Sequence, residues 1–385
     1  MSKLFEHWSA TREALTDGLA GNRKKVMETV LENTKQNLME AATTGSTMAG
    51  NIATLNKVIL PVIRRVMPTV IANELIGVQP MTGPVGQIHT LRVRYAETAA
   101  GAVAGEEALS PFKIANGYSG NATTARAEAS SALEGAAGRR MNIQIVKQTV
   151  EAKTRKLSAR WTFEAAQDAQ AMHGIDVEAE IMAALAQEIT TEIDQEILAS
   201  LFSLAGGASA SFDQGTVSGT ATFVGDEHAA LAVLVNKAAN DIAARTRRGA
   251  GNWIVVSPTI LTVLQSATTS AFARTTEGAF EAPTNTKMVG TLNNVMKVYV
   301  NQYATNDDIL VGYKGTSESD APAFYCPYIP LMSTGTVLDP DTFEPTVGFL
   351  TRYGYLELSN SASSLGNAAD YLSKISVNNN NLSFT

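Results

Sequence analysis

Three glutamates recur at the four-residue spacing that places side chains on one face of a helix: Glu188, Glu192 and Glu196. Carboxylates grouped in this way can bind metal ions in helical bundles, but such sites also use a Glu-x-x-His pattern on partner helices. The sequence contains no such pattern. We therefore expect an acidic helix face that meets solvent or a partner, and we expect neither a metal ion nor a cofactor.

The other residue types that catalyse reactions are scattered along the chain. Cys326, the single cysteine, lies in an aromatic, strand-like run and is more typical of a packed core residue than of a nucleophile. One cysteine can form neither an internal disulfide nor a cysteine-based zinc site, which suits a reducing cytosol. The chain has no nucleophile elbow or phosphate loop, and no metal-ligand spacing relates the histidines His7, His89, His173 and His228. We expect no catalytic residues, because an enzyme would need a clustered polar pocket.

Charge is segregated along the middle of the chain. Residues 161–236 contain no Lys or Arg but twelve acidic side chains, and seven cations lie just before them within residues 139–160. Ordinary solvated surface is one explanation. The other is a basic strand of one subunit lying over the acidic helix of its neighbour, which would set register more than affinity. The contact candidates are Arg139, Arg140, Glu188 and Glu192. The formal net charge of -7 argues against a surface that coats nucleic acid.

The acidic stretch contains the longest helix that the sequence predicts. Apolar residues recur at spacings of three and four from Met182 to Leu204. Asp176 can cap the first turn, and Gly206 can end the helix in the left-handed conformation. A helix over residues 176–204 would be about 43 Å long and would form a structural spine.

Strand-like alternation flanks a region that is poor in large apolar side chains. It begins near Ile88 and resumes at Asn142, while residues 97–140 are typical of a projecting loop. Further along we expect helices over residues 226–246 and from Pro258, with a buried strand at "GNWIVVSP" between them. Later strands are expected at "MKVYVNQYA", "DDILVGYKG", "APAFYCPYIPLM" and "EPTVGFLTRYGYLELS". The final residues, "SVNNNNLSFT", are expected to fray. We expect a soluble, intracellular α+β protein, because no signal peptide or membrane-spanning run is present.

Residues 1–40 predict one or two amphipathic helices. Met27, Leu31 and Leu38 fall on one stripe, which is too narrow to bury itself and requires a partner. The segment is either a mobile extension or a docking element for an internal partner. Residues 41–56 are mostly small and polar, which is typical of an extended or flexible connecting segment.

Several long blocks resemble the major capsid proteins of T-even-like tailed phages, and they occur in that family's order over about residues 57–355. They include "LPVIRRVMPTVIANELIGVQPMTGPVGQI", "QTVEAKTRKLSARWTFEAAQDAQAMHGIDVEAEI", "RGAGNWIVVSP" and "VYVNQYATNDDILVGYKGTSESDAPAFYCPYIPL". The resemblance implies the Hong Kong 97 capsid fold, an α+β fold. The implied parts are a propeptide or scaffold-interacting segment (1–40), an N-terminal arm (41–90), an extended loop (91–145), a peripheral domain with the spine helix (146–220), an axial domain (221–336), and a C-terminal return to the peripheral domain with a tail (337–385).

The resemblance also implies proteolytic processing. In the family, a prohead protease cuts after a Glu that is preceded two positions earlier by an aliphatic residue. The match here is Leu38, Met39, Glu40 and Ala41, with the cut after Glu40. The small and polar residues that follow are expected to give the protease access to this bond. Glu6 and Glu32 end similar triplets and are candidates for secondary cuts.

The implied function is structural. Hexamers would assemble in the bacterial host cytoplasm into an icosahedral myovirus-like virion shell that encloses double-stranded DNA. The implied partners are an internal scaffolding protein, the prohead protease, and vertex, portal and decoration proteins, with no membrane. Two alternatives stay open: the pentameric vertex protein of the same head, and a nanocompartment shell protein of the same fold that encloses a protein cargo.

Overall fold

The computed structural model of the 385-residue chain describes most of it outside the N-terminal region. The described residues are 13, 16, 21, 24–33, 71–108, 117–134, 138–173, 176–217, 224–266, 272–274, 287–318, 320–333, 335–339, 342, 344–359, 367–378 and 382. Within them the architecture is α+β, as the sequence predicts. No helix in these ranges is long and apolar enough to cross a membrane.

The described helices differ greatly in length. They are a helical segment at residues 24–33, and then Ala72–Leu75, Ser130–Leu133, Phe163–His173, Val177–Leu204, Gln214–Val217, Val224–Thr246 and Pro258–Ser266, with a 3-10 turn at Ala368–Tyr371. Val177–Leu204, called the long helix below, is the expected spine. Its cap is also as expected: the Asp176 carboxylate accepts hydrogen bonds from the backbone N–H groups of Glu178 (3.1 Å) and Ala179 (3.4 Å). Beyond its end, Gly206 takes a positive φ of 66°.

The strands form two sheets and a separate hairpin. In chain order they are β1 (Gly77–Val78), β2 (Val85–Tyr95), β3 (Met141–Glu151), β4 (Lys153–Arg160), β5 (Ala210–Phe212), β6 (Trp253–Val256), β7 (Phe272–Arg274), β8 (Lys287–Leu292), β9 (Met296–Val300), β10 (Ile309–Gly312), β11 (Ala323–Ser333), β12 (Val337–Leu338), β13 (Pro345–Glu357) and β14 (Leu372–Val377). The first sheet has the order β1-β11-β13-β12, with β4 also paired to β13, and the second has the order β5-β14-β10-β6-β9-β8-β7. The hairpin consists of β2 and β3.

The second sheet is buried on both faces and separates two hydrophobic cores. Successive side chains along its strands point alternately into one core and the other. On β6, Trp253 and Val255 belong to the main core, which contains the buried face of the long helix. Ile254 and Val256 point the other way, into a second core with the helices Val224–Thr246 and Pro258–Ser266. A strand buried on both faces reads as an uninterrupted apolar run, which is why "WIVV" could be identified from the sequence.

Two predictions of local structure need correction. The alternation that resumes at Asn142 does not form a single strand, because it divides at Ala152, whose backbone N–H donates to the carbonyl of Pro84 at 2.9 Å. Before this point β3 pairs with β2, and after it β4 pairs with β13. The C-terminal tail also begins later than expected, because β14 continues to Val377 in the second sheet.

Gly312 is required by the packing of the second sheet. It pairs directly with Trp253 of β6, and a Cβ at Gly312 would lie 2.1 Å from Cζ2 of that buried indole. We expect Gly312→Ala to destabilise the chain by about 1–3 kcal/mol through overpacking. Gly207→Ala is the control, because a Cβ there meets nothing within 4 Å. Thermal unfolding of both full-length variants checks this, and equal melting temperatures would contradict it.

Candidate functional site

The acidic face of the long helix is joined to the first sheet by one arginine. Arg155 of β4 donates from Nη1 to Glu192 at 2.6 Å and from Nη2 to Glu196 at 2.5 Å. Its Nε donates to the hydroxyl of Tyr353 on β13 at 2.6 Å, and that hydroxyl donates in turn to Glu196. Arg155, Glu192, Glu196 and Tyr353 are called the arginine clamp below.

The arginine clamp balances part of the negative charge of this helix face within one chain. Burial alone would raise the pKa of Glu196, but the hydrogen bonds from Arg155 and Tyr353 outweigh it and lower the pKa below its usual value. Among the described residues, no group of three or more His, Cys, Asp or Glu side chains is arranged to hold a metal ion. Two of the three spaced glutamates, Glu192 and Glu196, form ion pairs with Arg155, so part of the basic run pairs with the acidic helix inside one chain.

The four contact candidates have different surroundings. Glu192 lies in the arginine clamp, whereas Glu188 is an exposed side chain one turn earlier on the same helix. Arg139 turns inward: its Nη1 donates to the carbonyls of Gly117 (3.2 Å), Tyr118 (3.0 Å) and Gly120 (3.1 Å). Arg140 has an exposed side chain. Glu188 and Arg140 are thus the two that a second chain could reach most directly.

The β2–β3 hairpin carries an apolar stripe on one face. Leu91 pairs with Ile145, and Val93 pairs with Ile143, so these side chains project from the same side of the hairpin. Leu91, Ile143 and Ile145 are 68%, 71% and 67% exposed. These three residues are called the hairpin stripe below. Three large aliphatic side chains exposed side by side form the kind of patch that marks an interaction surface.

On the opposite face of the hairpin, Arg92, Arg94 and Val150 are buried within the chain. Arg92 is buried and donates to Glu107 at 3.1 Å. Past the stripe, Tyr95 packs against Tyr118 with ring centroids 4.5 Å apart, in a small core that closes the base of the loop. The hairpin therefore has internal contacts on one face and carries the exposed hairpin stripe on the other.

The helical segment at residues 24–33 belongs to the main core. Val26, Met27, Val30 and Leu31 are all buried, at no more than 4% exposure, within the same cluster as the long helix. The predicted stripe residues Met27 and Leu31 thus find their partner in the body of the chain itself. The charged face, with Lys24, Lys25 and Glu32, is exposed.

The processing residues Leu38, Met39, Glu40 and Ala41 lie outside the described residues. Their role stays a prediction. The secondary candidate Glu32 lies at the end of the docked helical segment, and Glu6 is outside the described residues.

Sequence reasoning missed the buried carboxyl of Asp194. Its Oδ1 accepts a hydrogen bond from the backbone N–H of Ile71 at 2.9 Å, in the interior between the long helix and the start of the helix Ala72–Leu75. Its Oδ2 is buried with no hydrogen-bond partner. Burial raises the pKa of Asp194 to about 7, and the hydrogen bond from Ile71 opposes this only in part. Its position in the sequence could have indicated that it is buried. It lies four residues from both Thr190 and Leu198, which are on the buried face of the helix.

Known proteins resemble the chain over most of its length. The sequence model for the family described as major capsid protein Gp23 matches residues 52–382. The major capsid protein of Vibrio phage KVP40 is 30% identical over 439 aligned positions, which cover 89% of this chain and 84% of that protein. The major capsid protein of Enterobacteria phage T4 is 29% identical over 395 positions, which cover 80% and 76%. Among solved structures, the capsid of Myoviridae phage XM1 aligns with a TM-score of 0.44 and 10% identity, over 79% of this chain and 90% of that one.

The Asp194 carboxyl predicts a pH dependence of stability. Because its pKa is raised in the folded state, the folded chain keeps a proton that the unfolded chain has released. This stabilisation is complete below the unfolded pKa of 3.8 and is lost as pH rises through about 7. Asp194→Asn keeps an acceptor for the N–H of Ile71. We expect it to reduce the slope of the unfolding free energy against pH by up to about 1 kcal/mol per pH unit.

Chemical denaturation of the full chain between about pH 4 and pH 8 measures this. The comparison is between the pH profiles of the parent and Asp194→Asn, with Glu188→Gln as the control at an exposed position on the same helix. Parallel profiles for the parent and Asp194→Asn would show that the carboxyl does not titrate in this range.

Proposed function

The chain belongs to the Gp23 major capsid protein family, and from this membership we propose that it forms hexamers that close into an icosahedral head shell around double-stranded DNA. Its role is that of the structural protein of a tailed-phage head, in a family of capsid proteins rather than enzymes. The hexamer, the enclosed DNA and the processing step are the parts that we propose.

The observation that carries the proposal is the hairpin stripe. Leu91, Ile143 and Ile145 are each more than two-thirds exposed, whereas most other large apolar side chains in the described part of the chain are buried or only partly exposed. A second copy of the chain is the partner that a self-assembling protein supplies in the greatest amount. Repeated around a closed ring, a modest apolar contact per subunit is multiplied by symmetry.

Charge provides a second, weaker contact. Arg140 near the start of β3 and Glu188 on the long helix are exposed and opposite in sign. We propose that Arg140 and Glu188 face neighbouring subunits. Arg139 and Glu192 contribute charge to the same two surfaces while keeping their contacts within the chain. Exposed ion pairs of this kind contribute roughly 0–1 kcal/mol, so they set register more than affinity.

The net charge suits a container for DNA. At -7 the chain repels phosphate on average, and DNA held by enclosure rather than by binding can be packed and released. The proposed partners are the scaffolding protein, the prohead protease, and the portal, vertex and decoration proteins of the same head, with assembly in the host cytoplasm.

Sheet membership refines the proposed domain outline. The extended loop (91–145) contains the outer part of the hairpin, and the peripheral domain (146–220) contains the long helix. The second sheet is the centre of the proposed axial domain, and it also includes β14 from the C-terminal part. Although β11 lies within the range proposed for the axial domain (221–336), it pairs with β13 and β1 in the first sheet.

Processing after Glu40 is tested by intact mass. We expect the protein from purified, DNA-filled particles to have the mass of residues Ala41–Thr385, because the prohead protease would remove the preceding segment. The same protein from unexpanded precursor particles should have the full-length mass and is the control. A full-length mass in DNA-filled particles would contradict the cut and favour a shell that keeps this segment.

The role of the hairpin stripe is tested by one substitution. We expect Ile143→Asp to raise the concentration needed for assembly by roughly tenfold or more, since a buried aliphatic side chain contributes about 1.5–3 kcal/mol. Gln144→Asp is the control, because this neighbouring side chain is exposed on the opposite face. Sedimentation velocity measures assembly, and circular dichroism checks that both variants fold. Equal assembly of the two variants would remove the hairpin stripe from the interface.

A further inference from the structure

We propose that the first sheet continues from one copy of the chain to the next, with the open edge of β4 receiving the β12 edge of a second copy. The contact is heterologous, since two different edges meet, and it can therefore repeat from copy to copy. It deepens the proposed assembly and rests on it only for the presence of a second copy.

β4 is an edge strand in the described part of the chain. It pairs with β13 and with no other strand there. The N–H of Trp161 donates to the carbonyl of Pro345 at 3.2 Å, which sets the alternation of hydrogen bonds along this antiparallel pair. Odd-numbered residues of β4 thus direct their backbone groups to β13. The residues that direct their N–H and C=O groups away from it are Thr154, Lys156, Ser158 and Arg160. All four have exposed side chains, so a second chain can approach this edge.

Charge decides which kind of strand can pair with this edge. Lys156 and Arg160 are the charged side chains on the exposed face of β4, and both are cations. An edge strand that carries cations repels a second copy of itself, which is one way in which sheets prevent edge-to-edge pairing. The β4 edge therefore disfavours a contact between two β4 strands and favours a segment that brings negative charge.

The distribution of charge along the chain points to β12 as the partner. Residues 41–70 contain no Asp or Glu, and β2 and β3 together carry three Lys or Arg residues and one acidic residue. By contrast, residues 315–351 contain no Lys or Arg. Asp339, Asp341 and Glu344 lie within the six residues that follow β12. β12 and the turn after it thus form an extended element of the sign that the β4 edge favours.

β12 is also an edge of the first sheet, on the other side of β13 from β4. Val337 pairs with Thr346 of β13, and no strand lies beyond β12 among the described residues. Val337 and Leu338 are 56% and 58% exposed. Two large aliphatic side chains at an open strand edge are a liability in a single chain, and they provide apolar area to bury in an assembly.

A charge contact of the proposed kind already exists within one chain. The guanidinium of Arg160 lies 3.5 Å from the carboxylate of Glu344, and the Arg160 side chain is still 69% exposed. Val337, Thr346 and Arg160 lie side by side across three strands, so their side chains project from the same face of the sheet. The exposed face of β4 and the side chain of Val337 can therefore form one surface across the junction between two copies.

The backbone edge is tested by Ser158→Pro, with Ser158→Ala as the matched control. Proline removes the outward N–H of residue 158 and blocks strand addition, but it breaks no hydrogen bond to β13. We expect Ser158→Pro to raise the concentration needed for assembly at least tenfold and Ser158→Ala to assemble like the parent. Sedimentation velocity on full-length chains measures this, and circular dichroism checks folding. Equal assembly of the two variants would overturn the proposal. A parent chain that never assembles would contradict the proposed function, and this contact with it.

Hydrogen exchange of the parent chain provides a measurement that needs no substitution. The outward amides of β4 have no hydrogen-bond partner in the described structure of the single chain. We therefore expect the peptide Lys153–Arg160 to exchange at least tenfold more slowly in assembled chains than in separate ones. Equal exchange of this peptide in the two states would overturn the proposal.

Cysteine pairing identifies the partner edge. In the double variant Ser158→Cys with Val337→Cys, mild oxidation should link β4 of one copy to β12 of the next and give a ladder of covalent multimers. The two positions lie two strand spacings apart in one chain, roughly 10 Å or more, which is too far for an internal disulfide. The native Cys326 is buried and does not interfere.

The control for this pairing combines Ser158→Cys with Lys25→Cys, which places the second thiol at an exposed position away from the first sheet. We expect this control to give no ladder. An equal ladder in the control would show that the thiols meet by random collision, and a double variant without a ladder would show that β12 is not the partner. Either result would overturn the proposal.

Discussion

Burial of one face of the long helix is the constraint on which the rest of the structure depends. At 28 residues the helix is about 42 Å long, and its apolar side chains must be covered along that length. No single sheet provides this cover. Side chains of the same core come from the first sheet, one face of the second sheet, the Ile71–Val78 stretch and the helical segment at residues 24–33. The two sheets therefore share a core through the helix, and a change in any one of these elements is felt by the others.

Two polar groups give this core a defined arrangement. Asp194 accepts a hydrogen bond from the N–H of Ile71 within the apolar interior, which ties the helix to one point of the segment proposed as the N-terminal arm (41–90). The arginine clamp does the same at the surface, where Arg155 joins the helix to the adjacent β4 and β13 strands. A buried hydrogen-bonded group adds little net stability, yet leaving it unpaired in a wrong arrangement is costly. Such groups therefore select one packing among several that bury similar apolar area.

The sequence predicted those parts of the fold that local patterns determine. The long helix was identified with its cap at Asp176 because helical periodicity and capping are local signals. The strand at Trp253–Val256 and the helix at Pro258 were identified for the same reason. Pairing across long separations left no comparable signal. Asn33 bonds to a carbonyl 295 residues away, and nothing in the residues around it indicates that partner.

The candidate surfaces show the same division. Segregated charge correctly drew attention to the acidic helix, but its spacing could not show that Arg155 of the same chain lies between Glu192 and Glu196. The hairpin stripe was hidden because Leu91, Ile143 and Ile145 stand in two strands that are about fifty residues apart in sequence. The face of a hairpin that is exposed to solvent depends on which residues elsewhere in the chain pack against the other face, and the sequence of the two strands does not contain this information.

These surfaces give the proposed assembly a physical account in which the first contacts between copies are reversible. The arginine clamp satisfies much of the polar surface of the long helix within one chain, so contacts between copies need not desolvate those charges. The exposed hairpin stripe can then supply a modest attraction, weak enough for misplaced copies to leave and strong enough in a closed ring to hold. An assembly of weak contacts needs a separate step that prevents reversal. The proposed cut after Glu40 is suited to that step, because a hydrolysed peptide bond does not re-form between separated segments.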